Sequence, residues 1–154
     1  MKTNYYFINN DSRFINIAGD DRQDFLQGLI TNDVKVCNRN NPIYACILSP
    51  QGKFLADFFI IELDGSYLIE IHNQFFDNIF QKLQLYVLKS KVIITENNNY
   101  LSCVLFNNKI TVPNYLISFQ DPRKNNIGIK YILNTYNSSS FNIYFIPILF
   151  FLGS

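Results

Sequence analysis

The chain has 154 residues, 48% of them apolar and only 16% charged, a composition that excludes disordered, collagen-like and disulfide-scaffold classes. What remains is one globular domain able to bury roughly two thirds of its unfolded surface. The formal net charge is +1 with acids and bases interspersed, so the clustered Lys/Arg footprint that a phosphate backbone demands is missing and no direct nucleic-acid partner is expected.

Residues 5–8 and 14–18 read as short strands, the second ending at Gly19, where the backbone can turn freely. A helix should follow, because Asp20 with Gln23 fits a capping box and Phe25, Leu26 and Leu29 recur on one helical face. Thr31-Asn32-Asp33 then reads as turn chemistry, with side-chain oxygens capping free backbone groups. Residues 43–48 form an apolar strand and Ser49-Pro50-Gln51-Gly52 a turn, leading into a long strand at 53–63. Asp64-Gly65 is a hairpin signal, and residues 67–71 return antiparallel with Tyr67, Ile69 and Ile71 on one face. Residues 43–72 therefore predict a three-stranded meander.

The most regular helical period covers residues 74–89, with Phe75, Phe76, Ile79, Phe80, Leu83, Tyr86 and Val87 in phase and Asn73 placed to cap it. Residues 91–95 and 100–106 predict a hairpin across an Asn-rich turn, and 110–112 and 115–119 add further short strands. The expected fold class is α+β, an antiparallel sheet with the helices packed on one face in a two-layer sandwich. Residues 1–10 lack the features of a secretory signal, and the apolar stretch at 141–152 is shorter than the ~20 residues a spanning helix needs and is broken by Pro147. No transmembrane segment is expected. Residues 1–133 form the folding unit and 134–154 an unrelated tail, the mark of a truncated or frame-shifted reading frame.

Chemistry-bearing residues are few. Cys37, Cys46 and Cys103 show no C-x-x-C spacing and there is one histidine, which argues against a metal site and for reduced thiols in a cytoplasmic protein. There is no G-x-G-x-x-G, Walker loop or G-x-S-x-G, so no catalytic residue is assigned. Along the strand at 53–63, alternation places Asp57 on the same face as Leu55, Phe59 and Ile61. A carboxylate in an apolar row reaches water at an edge, pairs with a structural donor, or waits for a ligand whose N–H groups satisfy it. The strand alone leaves these open. Tyr44 reads as packing with its hydroxyl at a rim, Asn73 as a cap, and His72 has no partner at a suggestive spacing.

A series of short motifs adds to this reading. Gly19-Asp20, Asp24-Phe25-Leu26-Gln27-Gly28-Leu29, Thr31-Asn32-Asp33-Val34, the turn at 49–52 leading to Asp57, Leu85-Tyr86 with Lys91-Val92, and Asp121-Pro122-Arg123 with Ile127-Gly128 occur in order. Over residues 12–132 the chain resembles the N-terminal part of the YgfZ/GcvT-like folate-binding family. That resemblance implies small α/β subdomains around a tetrahydrofolate pocket and a role in iron-sulfur protein assembly or repair, including enzymes that modify tRNA. It also implies folate contacts at Tyr44, Asp57 and Asn73. The family's C-terminal cysteine motif is absent, and Lys130 stands where an arginine is more usual, exchanging a planar fork for a point charge if it meets a carboxylate. Iron-sulfur proteins, or a separately encoded C-terminal half, are the implied partners. An aminomethyltransferase relative and a gene remnant without function are the alternatives.

Overall fold

The computed structural model describes residues 6–105, 112, 114–124 and 128–135. The strands are β1 (Tyr6–Asn9), β2 (Ser12–Ala18), β3 (Ile43–Leu48), β4 (Phe54–Leu63), β5 (Ser66–His72), β6 (Ile93–Asn97), β7 (Tyr100–Leu105), β8 (Tyr115–Gln120) and β9 (Ile129–Asn134). Two helices, α1 (Arg22–Gln27) and α2 (Asn73–Tyr86), and a 3-10 turn at Val34–Val36 complete the described chain. It is thus predominantly antiparallel sheet with few helices.

Two sheets are present, a five-stranded one in the order β3-β4-β5-β2-β6 and a four-stranded one in the order β1-β7-β9-β8. The predicted meander is β3-β4-β5, with Asp64 at φ 50° and Gly65 at φ 77° supplying the left-handed turn that joins β4 to β5. The predicted hairpin between residues 91–95 and 100–106 does not form. β6 pairs with β2 and β7 pairs with β1 and β9, so the Asn-rich segment carries the chain from one sheet to the other. Nothing in a local turn signal distinguishes a hairpin from a sheet change, because both reverse the chain. β9 had no expectation attached to it. Residues 110 and 111 of the predicted strand at 110–112, and the apolar stretch at 141–152, lie outside the described residues.

The five-stranded sheet is buried on both faces, which explains why β4 and β5 read as nearly continuous apolar runs. On one face Ile15, Ile17, Ile60, Ile69 and Ile71 share a cluster with Phe25, Leu26, Phe76, Ile79 and Leu83 of the helices. On the other, Phe14, Phe59, Ile61 and Leu68 meet Ile117, Phe119 and Ile132 of the second sheet. Each such fully buried side chain stabilises by about 1.5–3 kcal/mol. Leu55 departs from the expected alternation: a register shift between Ile47 and Leu48 turns it toward the helix-side cluster, while Asp57 keeps company with Phe59 and Ile61.

Both predicted caps differ. The N-cap of α1 is Asp21 and makes no side-chain cap; its Oδ2 instead accepts from the Lys91 amide at 2.7 Å. The chain therefore uses this acid to fasten the entry to β6 rather than to start the helix. α2 begins one residue early, so Asn73 is inside it and His72 is the cap, Nδ1 accepting from the Gln74 amide at 3.1 Å.

Gly19 sits at φ 108°, and a Cβ there would collide with the Lys91 carbonyl. Gly19→Ala should therefore lower stability by more than about 2 kcal/mol in urea unfolding, combining strain with a backbone clash.

Candidate functional site

A cavity of about 490 Å³ is lined by residues of both sheets. Tyr44 of β3, Asp57 and Phe59 of β4, and Glu70 of β5 come from the five-stranded sheet, where the pleat sends all four side chains to the face opposite the helices. Lys130 of β9 and Arg123, from the segment joining β8 to β9, face them.

Asp57 accepts a hydrogen bond from the Tyr44 hydroxyl through Oδ2. Among the described residues, its Oδ1 receives none. Burial, followed by the hydrogen bond and charge of Asp57, pushes the Tyr44 phenol up to about 12, so at neutral pH it remains protonated and serves as the donor. The acid is thus neither free in solvent nor locked to a cation; it is half-buried, oriented by one neutral donor, and has acceptor capacity left at the cavity wall.

Phe59 lies between two cations, with the Lys130 Nζ 4.3 Å and the Arg123 Cζ 4.9 Å from its ring centroid. Arg123 also lies 5.4 Å from the centroid of Tyr44. Its anchor is Asp121, whose side chain is fully buried and accepts from Nε at 2.9 Å and from Nη2 at 2.6 Å. Burial by itself would raise the Asp121 carboxyl, but the hydrogen bonds and charge of Arg123 outweigh it and hold the acid below its ordinary range.

Glu70 and Lys130 form a buried ion pair at 2.8 Å. Glu70 Oε1 also accepts from Ser102 Oγ at 2.6 Å and Ser12 Oγ at 2.9 Å, whereas Oε2 is buried with no partner. Lys130 therefore does meet a carboxylate, and its single ammonium reaches one oxygen where a guanidinium fork would span two.

Of the three folate positions that the family resemblance implies, Tyr44 and Asp57 are brought together and Asn73 is not. Asn73 is exposed, does not line the cavity, and its Oδ1 accepts from Arg13 Nη1 at 3.5 Å. Sequence reasoning missed Glu70 as a site residue, although the argument used for Asp57 applies to it, an acid alternating with Leu68 on a strand whose other face is apolar.

The thiols stand apart from the cavity lining. Burial raises Cys37 to about 11 and Cys103 to about 12, while Cys46 is only half-buried. Among the described residues no group of His, Cys, Asp or Glu is placed to hold a metal, and no helix is long and apolar enough to cross a membrane.

In fold, the chain resembles the glycine cleavage system aminomethyltransferase T from Bartonella henselae. The TM-score is 0.66 at 11% identity, over 83% of this chain and 41% of that one. The likeness is one of fold. In sequence it is 29% identical over 136 residues to the mitochondrial iron-sulfur cluster assembly factor IBA57 homologue of Mycosarcoma maydis, covering 78% of this chain and 34% of that protein. The corresponding homologue of Neurospora crassa is 31% identical over 86 residues, 51% of this chain and 20% of its own length. No protein-family model matches. Sequence and fold together support a likeness to the N-terminal part of the YgfZ/GcvT-like family, and the chain spans about a third or less of the length of the curated relatives it matches.

Two outcomes follow from this geometry. Lys130→Met strands a buried carboxylate and should cost about 3–5 kcal/mol in denaturant unfolding, most of which the double variant Glu70→Gln/Lys130→Met should restore. In native protein a disulfide reagent at mildly alkaline pH should modify Cys46 alone, with Cys37 and Cys103 reacting only after denaturation.

Proposed function

We propose that the chain binds a reduced folate in the cavity between its sheets and works, as intact YgfZ-like proteins are expected to, in the assembly or repair of iron-sulfur proteins. The observation that carries the binding half is Asp57, a carboxylate in a cavity wall shared with Tyr44 and Phe59, held by the Tyr44 hydroxyl and with Oδ1 left for a ligand. A pterin ring offers adjacent N–H groups that would complete such an acid, and the aromatic walls of Tyr44 and Phe59, 5.2 Å apart between centroids, suit a flat heterocycle. These residues fit tetrahydrofolate, whose bound form would supply a one-carbon carrier. The chain's own part is to bind and orient the ring.

The iron-sulfur half rests on the relatives, which are iron-sulfur cluster assembly factor homologues. Iron-sulfur proteins are accordingly the partners we assign. Three free thiols, two of them buried, fit a reducing compartment, and we assign the cytoplasm. Asn73, turned to Arg13, has no part in this reading.

Titration calorimetry with tetrahydrofolate tests the binding. The folded wild-type chain should give a saturable heat, and Asp57→Asn should weaken it by about 10- to 100-fold, the worth of a charge-assisted hydrogen bond of ~1.5–3 kcal/mol. No heat from a sample with a cooperative thermal transition would remove the reading.

A further inference from the structure

The Asp121-Pro122-Arg123 motif is not used by the folate reading, yet its arginine lines the same cavity as Asp57. Asp121 engages Nε and Nη2 and leaves Nη1 out of the ion pair. The guanidinium is thereby fixed before any ligand arrives, which lowers the ordering cost of a contact to it. It remains partly exposed, 41% for the side chain against 4% for that of Lys130, whose ammonium is committed to Glu70. Arg123 also has a side-chain hydrogen bond with Tyr44, and with five N–H donors its guanidinium still has capacity to offer a ligand. It sits over the ring of Tyr44, and the hydroxyl of that ring holds Asp57, so a carboxylate acceptor and a guanidinium donor flank one tyrosine at the same wall.

We infer that Arg123 is a specificity-determining residue that, together with Asp57, reads an amino-oxo pyrimidine edge. Asp57 takes the ring N–H and the exocyclic amine, and Arg123 donates to the neighbouring carbonyl oxygen. The inference rests on the folate reading and deepens it, because it selects 4-oxo over 4-amino heterocycles. A 4-amino ring lacks the ring N–H that Asp57 takes and presents N–H groups where the carbonyl stood, so the acid loses a donor and the guanidinium meets one. Sites built to hydrogen-bond a particular group discriminate strongly against an analogue that leaves their polar atoms unpaired.

The test is calorimetry of the full chain with tetrahydrofolate and with its 4-amino analogue, tetrahydroaminopterin. The wild type should bind the 4-oxo compound at least roughly tenfold more tightly. Asp57→Asn should weaken both. Asp121→Asn/Arg123→Gln, in which the buried acid is neutralised along with its partner, should weaken tetrahydrofolate far more than its analogue and so narrow the preference to the part that Asp57 alone supplies. Arg123→Lys keeps the charge without the fork and should narrow the preference; it decides the matter if thermal unfolding shows the double variant misfolded. Equal affinity of the wild type for the two compounds, or a preference undiminished in the arginine variants, overturns the inference while leaving folate binding intact. Binding of neither compound by folded wild type overturns the folate reading and the inference with it.

Discussion

Glu70 is held between two sheets by donors from both, Ser12 from its own side and Ser102 and Lys130 from the other. Each of these polar groups is costly to bury and is accommodated by the rest, so the contact fixes how the sheets lie against one another. A purely apolar interface of Phe14, Phe59, Ile61, Ile117 and Ile132 would tolerate sliding. A short charge-assisted cluster does not, and this registration brings Lys130 and Arg123 opposite Tyr44 and Asp57. The unpaired Oε2 shows the cost of satisfying a two-oxygen acceptor with a one-point cation.

The site inherits its form from that arrangement. Asp57 and Glu70 are both acids on the same face of neighbouring strands, separated by Phe59 opposite Glu70 in the register. They are treated differently: Glu70 is consumed by internal donors, while Asp57 is steadied by one phenol and keeps an oxygen available. Such a division assigns one carboxylate to the scaffold and leaves the other to recognition. Phe59, flanked by two cations, separates the pair and keeps an apolar surface between them. Arg123 belongs to the recognition group by position and to the scaffold by its tether to Asp121.

On the other face, Arg13 performs the analogous fastening. Its guanidinium lies 3.5 Å over Phe76 and bridges Asp77 of α2 and Glu96 of β6, tying helix to sheet at the edge of the larger core. These are partly exposed pairs and contribute modestly as ion pairs. The cation–π contact and the covering of Phe76 by the arginine stem add packing to them. Asn73 is drawn into this side of the molecule, which is why a residue that the family resemblance grouped with Tyr44 and Asp57 stands away from them.

Read without coordinates, the chain already determined its strands β2 to β5, the tight turn at Asp64-Gly65, the body of α2 and the burial of Asp57's face, because each depends on periodicity or turn chemistry within a few residues. Leu55 escaped that reading since a register shift lies in the pairing of two strands rather than in either one. The division into two sheets, the failure of the β6–β7 hairpin, and the meeting of Glu70 with Lys130 across sixty positions were decided by tertiary structure alone. Local pattern records which face of a strand is apolar, but not which other surface that face will find. For this protein the partner surface supplied both the second sheet and half of the candidate site.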